Sequence, residues 1–166
     1  MTDIISLIKK YVNLRFNTLE TSEVVIVESV DYTTWTCSVR PKAKMNMYGN
    51  TVDAPIIMNV PIAVQKTGDS VILMPVKVGD VCLCVFSKYA LDNILIDKST
   101  NRVKIPRTFD VNDCILIGGL YTEIDTVPTI SEGEMLIHHK SGSYIKFDLD
   151  GKLYIHAKKI YMTESS

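Results

Sequence analysis

An all-β chain is what the sequence predicts, with a small closed barrel or sandwich first and a repeating strand-and-turn unit last. Two observations carry that prediction. Five or so short segments rich in β-branched residues, each bounded by turn residues, follow one another over roughly a hundred residues with barely any helical pattern between them. Further on, in the run from Gly133 to Met162, the glycines Gly133, Gly142 and Gly151 recur at a spacing of nine and each opens a short apolar–polar alternation.

Taken in order, residues 3–17, DIISLIKKYVNLRFN, place Ile4, Leu7, Ile8, Tyr11 and Val12 on one side of a helix, with Phe16 at its margin, and Lys9, Lys10 and Asn13 on the other. A short amphipathic helix docking on a neighbour is expected there. Few basic residues accompany it, which weakens a membrane-surface role. From Ser22 the period changes: EVVIVESVDY and TWTCSVRPKAKM read as a hairpin about the polar turn Asp31–Thr34. Gly49-Asn50 is a second turn, and in the TVDAPIIMNVPIAV that follows, Pro55 and Pro61 confine the segment to an edge or irregular strand. Then come a polar loop at Lys66–Ser70, the strand VILMPV, a turn at Lys77–Asp80 and the strand VCLCVFS. KYALDNILID reads as a turn or two of helix, Lys98–Arg107 as a polar basic loop, FDVNDCILIGGL as a turn followed by an apolar strand, and 121–132 as a linker stiffened by Pro128. The expected organisation is a helix over 1–20, a barrel over 21–120, a linker over 121–132 and a terminal repeat over 133–166.

In that repeat Ile145, Phe147 and Leu149 alternate with Tyr144, Lys146 and Asp148, and Leu153, Ile155 and Ala157 with Tyr154, His156 and Lys158. Period two means strands with one buried face, and Asp150-Gly151 is a turn that uses glycine's access to positive φ. About thirty residues of this kind cannot bury their own apolar face. Two solutions stand open: a meander folded back on its own domain, or identical tails associating in a symmetric oligomer, which also removes exposed strand edges.

Composition narrows the function. Eighteen basic and 19 acidic side chains are spread evenly for a formal net charge of −1, which is no electrostatic footprint for nucleic acid. No apolar run approaches the ~20 residues that span a bilayer. The start, MTDIISLIKKYV, lacks the regions of a secretory signal, so the chain is expected to begin in a cytoplasm. Cys82 and Cys84 share a strand face but lack the turn-borne spacing of zinc sites; with Cys37 and Cys114 they read as buried, reduced core thiols. No nucleophile elbow, His-Glu-x-x-His or phosphate-binding glycine loop occurs, so no enzyme and no cofactor are expected.

The order of motifs resembles the N-terminal domain of the central spike proteins of contractile-tailed bacteriophages and related injection machines. It is carried by Val60-Pro61, Gly79-Asp80, Phe86-Ser87, Leu91-Asp92, and Asp113-Cys114 through Gly119-Leu120. The resemblance implies an OB-fold-type barrel followed by a trimeric, triple-stranded β-helix. It also implies a baseplate spike, made in the host cytoplasm and carried in the virion, that pierces the bacterial envelope on tail contraction. Partners implied are two further copies of the chain, a hub or tail-tube protein and a separate tip protein. Ile137, Ile145, Phe147, Leu149, Leu153, Ile155 and Met162 are then the candidate trimer core, Gly133, Gly142 and Gly151 its turns, and Ile4, Leu7, Ile8 and Tyr11 a hub contact. Several members of that family carry a His-x-His tip that binds iron; here the chain ends YMTESS, so no metal is assigned, with a threefold ring of His139 or His156 left as the alternative. Two rival functions stay in view. One is a hub adaptor; the other is an OB-fold module using the rings of Tyr32, Trp35 and Tyr48 to stack bases, against which the neutral charge counts.

Overall fold

The computed structural model describes residues 3–17, 19–47 and 49–163. The chain forms two compact units, the first running to Thr122 and the second from Glu123.

The first unit begins with helix α1 (Ile4–Asn17), followed by strands β1 (Ser22–Asp31), β2 (Thr36–Pro41), β3 (Met45–Met47), β4 (Asn50–Val52), β5 (Ile57–Pro61), β6 (Gln65–Lys66), β7 (Val71–Ile72), β8 (Val81–Phe86) and β9 (Cys114–Gly119). A short helix, α2 (Leu91–Ile94), and a 3₁₀ turn at Val111–Asp113 lie between β8 and β9. Five strands make the main sheet, in the order β5-β2-β1-β8-β9. Registers slip at Val27/Ser29, Cys37/Val39 and Leu83/Cys84, and such bulges bend strands and sharpen their twist. The sheet curls as a result, and its two edges meet through a parallel bridge between Ile62 and Leu116, where Ala63 N–H donates to Leu116 C=O at 2.8 Å. Pro61 ends the edge strand β5, where a missing N–H costs no ladder bond.

Alternation fills the interior. Val25 and Val27, Cys37 and Val39, Cys82, Cys84 and Phe86, and Cys114 and Leu116 all turn inward and form one core with Ile57 and Val60. The four cysteines are buried free thiols. Burial pushes the Cys37 thiol up to about 12 and that of Cys82 to about 11, so both stay protonated and inert.

The positions that carried the family resemblance do structural work. Gly79, at φ 92°, turns the chain into β8 and donates its N–H to Val27 C=O at 2.8 Å, while the Asp80 carboxylate accepts from Lys77 N–H at 2.7 Å. Asp113 is fully buried, accepts from Arg107 at 2.7 Å on both oxygens and takes a third bond from Leu91 N–H at 2.9 Å. Through Arg107, which also reaches Asp92 at 3.1 Å, the long 95–110 segment is tied to both α2 and β9.

One expectation needs correction. VILMPV is not a strand throughout: only Val71–Ile72 pair, in a two-residue ladder with β6, and Val71, Ile72, Leu73 and Met74 are all exposed. Hydrophobicity alone suggested burial, but the main sheet is already closed by β5 and β9 and has no place for another strand. On α1, Ile4, Leu7 and Ile8 are each more than half exposed.

The second unit is a three-stranded antiparallel meander, β10 (Met135–His138), β11 (Tyr144–Phe147) and β12 (Leu153–His156), in that spatial order. Within one chain it is a simple meander, with no β-helical winding.

Candidate assembly interface

The nine-residue spacing has a geometric origin. His139 N–H donates to Ser143 C=O at 2.8 Å and Gly142 N–H back to His139 C=O at 2.9 Å; nine residues on, Asp148 N–H donates to Lys152 C=O at 3.1 Å and Gly151 N–H to Asp148 C=O at 3.4 Å. Each loop therefore closes in the same way, about a glycine with φ near +80 to +90° (Gly142 at 89°, Gly151 at 78°). Gly133, at φ 82°, opens the first repeat in the same conformation, and Leu149 packs directly over its bare Cα. In the second loop the Asp148 carboxylate also accepts from the N–H groups of Asp150 and Lys152, at 3.0 and 2.8 Å, which holds its carboxyl below the usual range.

Identical loops put the strands in register. Met135 pairs with Phe147 and Phe147 with Leu153; Ile137 pairs with Ile145 and Ile145 with Ile155. Directly paired residues share a face, so these six side chains form two parallel rows of three. The opposite face carries Leu136, Lys146 and Tyr154 in one row and His138, Tyr144 and His156 in the other.

The two faces differ in how far they are satisfied. On the polar side, Lys146 pairs with Glu134 at 2.9 Å and lies over the Tyr154 ring at 5.3 Å, Tyr154 O–H donates to Asp148 at 3.0 Å, and Tyr144 stacks on His156 at 5.1 Å. Lys146 holds the Glu134 carboxyl below its ordinary range, and Glu134 in turn raises the Lys146 ammonium. The apolar side stays open to water: exposure of its six side chains runs from 37% at Ile145 to 57% at Ile137. Contiguous exposed apolar faces of this kind are where proteins commonly meet partners.

Of the residues expected in a trimer core, Ile137, Ile145, Phe147, Leu153 and Ile155 come together on this face. Leu149 stands in the loop beside Gly133, and Met162 lies exposed beyond the last strand. Met135 belongs to the face but escaped the sequence reading, because Met135-Leu136-Ile137 is apolar throughout and gives alternation no phase. Its pairing with Phe147 supplies the phase.

Elsewhere, the rings proposed for base stacking are committed locally. Tyr32 and Trp35 pack 6.0 Å apart at the β1–β2 turn, and Tyr32 O–H donates to Val76 C=O at 2.8 Å. Tyr48 falls outside the described residues. Among the described residues no three His, Cys, Asp or Glu side chains gather as metal ligands, and no helix is long and apolar enough to cross a membrane.

One family model matches the sequence, that of the phage protein Gp138 N-terminal domain, over residues 24–119. The match covers more than half of the chain, beginning in β1 and ending with the last residue of β9. No curated protein matches.

Proposed function

This chain belongs to the phage protein family defined by the Gp138 N-terminal domain, and from that premise we propose that it is the central spike of a contractile-tail baseplate. A phage structural role follows from the family; the spike reading rests on the second unit. Its single supporting observation is the exposed apolar face of β10–β12. Three copies turned toward one axis bury that face completely, as a triple-stranded β-helix whose outward surface is the satisfied network of Lys146, Glu134, Tyr154 and His156. About half of each of these six side chains is already covered within the chain, so burying the remainder contributes on the order of 1 kcal/mol each.

The strand order β5-β2-β1-β8-β9, closed by a parallel bridge between its edges, supports an OB-type barrel as the first unit. In the assembled tail this barrel seats the spike on a hub or tail-tube protein, and a separate tip protein caps the point. Contraction drives the needle through the outer envelope. The task is mechanical: no bond is broken, and neither a cofactor nor nucleic acid takes part. With its apolar face packed on two neighbours, unravelling one chain means breaking contacts with both, so unfolding is slow under load.

The test is an apolar-to-charged change in the face. Ile145→Glu places a carboxylate in the central column and should convert a trimer to monomer in solution. Lys152→Glu, in an exposed loop, should leave the trimer intact. Equal masses for Ile145→Glu and the parent chain would remove the face from the assembly.

A further inference from the structure

A second exposed apolar surface lies at the other end of the chain. Around α1, at ~100° per residue, Leu14, Leu7, Tyr11, Ile4, Ile8, Val12, Ile5 and Phe16 all fall within an arc of roughly 200°. All eight are exposed, from 41% at Val12 to 73% at Ile4. Lys9, Asn13, Ser6 and Lys10 lie outside that arc. Together the eight present apolar surface on the order of 1,000 Å², beyond the ~300–600 Å² patch of a typical monomer and comparable to the ~800 Å² per partner of a stable interface.

The width of the arc decides what covers it. A helix lying on a single flat partner buries a stripe of about 100°; an arc twice as wide needs neighbours on two sides. We infer that α1 packs against the α1 helices of two further copies, as a three-helix bundle at the barrel end of the assembly. This rests on the threefold reading of the second unit. Ile4, Ile8 and Tyr11, at the spacing of four and three that keeps one seam facing inward, turn to the axis. Leu7 and Leu14 on one flank of a helix meet Ile5 and Val12 on the other flank of the next. That contact is heterologous, and three copies close it into a ring. Lys9, Lys10 and Asn13 stay outside in water.

Cross-linking in the full chain tests the bundle. Ile8→Cys sets three thiols around the axis; Asn13→Cys sets them on the outer surface. The four native cysteines are buried, so the parent chain gives the background. Under mild oxidation Ile8→Cys should carry up to about two thirds of the chain into a disulfide-linked dimer, since one pair forms in each threefold ring, while Asn13→Cys stays at background. A trimer by light scattering that shows no Ile8→Cys dimer, or an equal dimer from Asn13→Cys, overturns the bundle and leaves the spike reading standing. In that case, capture by phosphatidylglycerol vesicles that Ile8→Glu abolishes assigns α1 to a lipid surface, and no capture assigns it to a different protein. A monomeric parent chain overturns both readings.

Discussion

The buried carboxylate of Asp113 is the residue on which the first unit most depends. It is wholly removed from water and held by three hydrogen bonds, two of them from Arg107. The Arg107 guanidinium keeps its carboxyl below the ordinary aspartate range in the folded state. The contribution is therefore complete above the unfolded value of about 3.9, and is lost as pH falls through the lower folded value. Asp148 and Glu134 are shifted in the same direction. Thermal melts should be nearly flat between pH 7 and about 5 and should fall below about pH 4. Asp113→Asn should cost about 3 kcal/mol at neutral pH and flatten the acid limb. Arg107→Ala, which strands the carboxylate, should cost more. A second residue-scale expectation concerns Gly151, which has open space around its Cα but a φ of 78°. Gly151→Ala should destabilise the second unit by about 1 kcal/mol through backbone strain alone, read as a lower melting temperature with an unchanged spectrum. A neutral result would mean the loop adopts another turn.

Among the elements, the strands whose alternation ran unbroken were the legible ones. β1, β2, β8 and β9 each follow a two-residue period with turn residues at both ends, and α1 shows a helical stripe over 14 residues. The nine-residue glycine spacing anticipated β10–β12 because each turn needs one left-handed residue at the same step. Sequence could not reveal that VILMPV lies on the surface, since apolar content reports a preference for burial and says nothing of whether the fold has room. Nor could it locate the Arg107–Asp113 pair, which joins a loop to the 3₁₀ turn ahead of β9 through burial rather than spacing. Met135 and the Glu134–Lys146 pair are matters of register, and register is set jointly by loop closure and pairing. Trp35 is similar: its φ of 57° at the β1–β2 turn is a conformation that usually calls for glycine. Packing of the ring beside Tyr32, against the barrel core, holds it there.

At the scale of the molecule, two apolar surfaces define the account, one on β10–β12 and one on α1. Contiguous exposed hydrocarbon of this kind is what interaction surfaces present, and the family gives the chain a phage structural role. The family match ends at Gly119 and leaves the second unit outside it. The spike reading therefore stands on geometry there. What the second unit shows is two loops of identical closure, strands four residues long and a face of six exposed apolar side chains. Light scattering of the full chain, beside a truncation ending at Pro128, tests this most directly. The account expects a full-length trimer and a truncated chain of lower mass that melts at a lower temperature. A full-length monomer would contradict it, returning β10–β12 to a simple meander and leaving the barrel as the functional part.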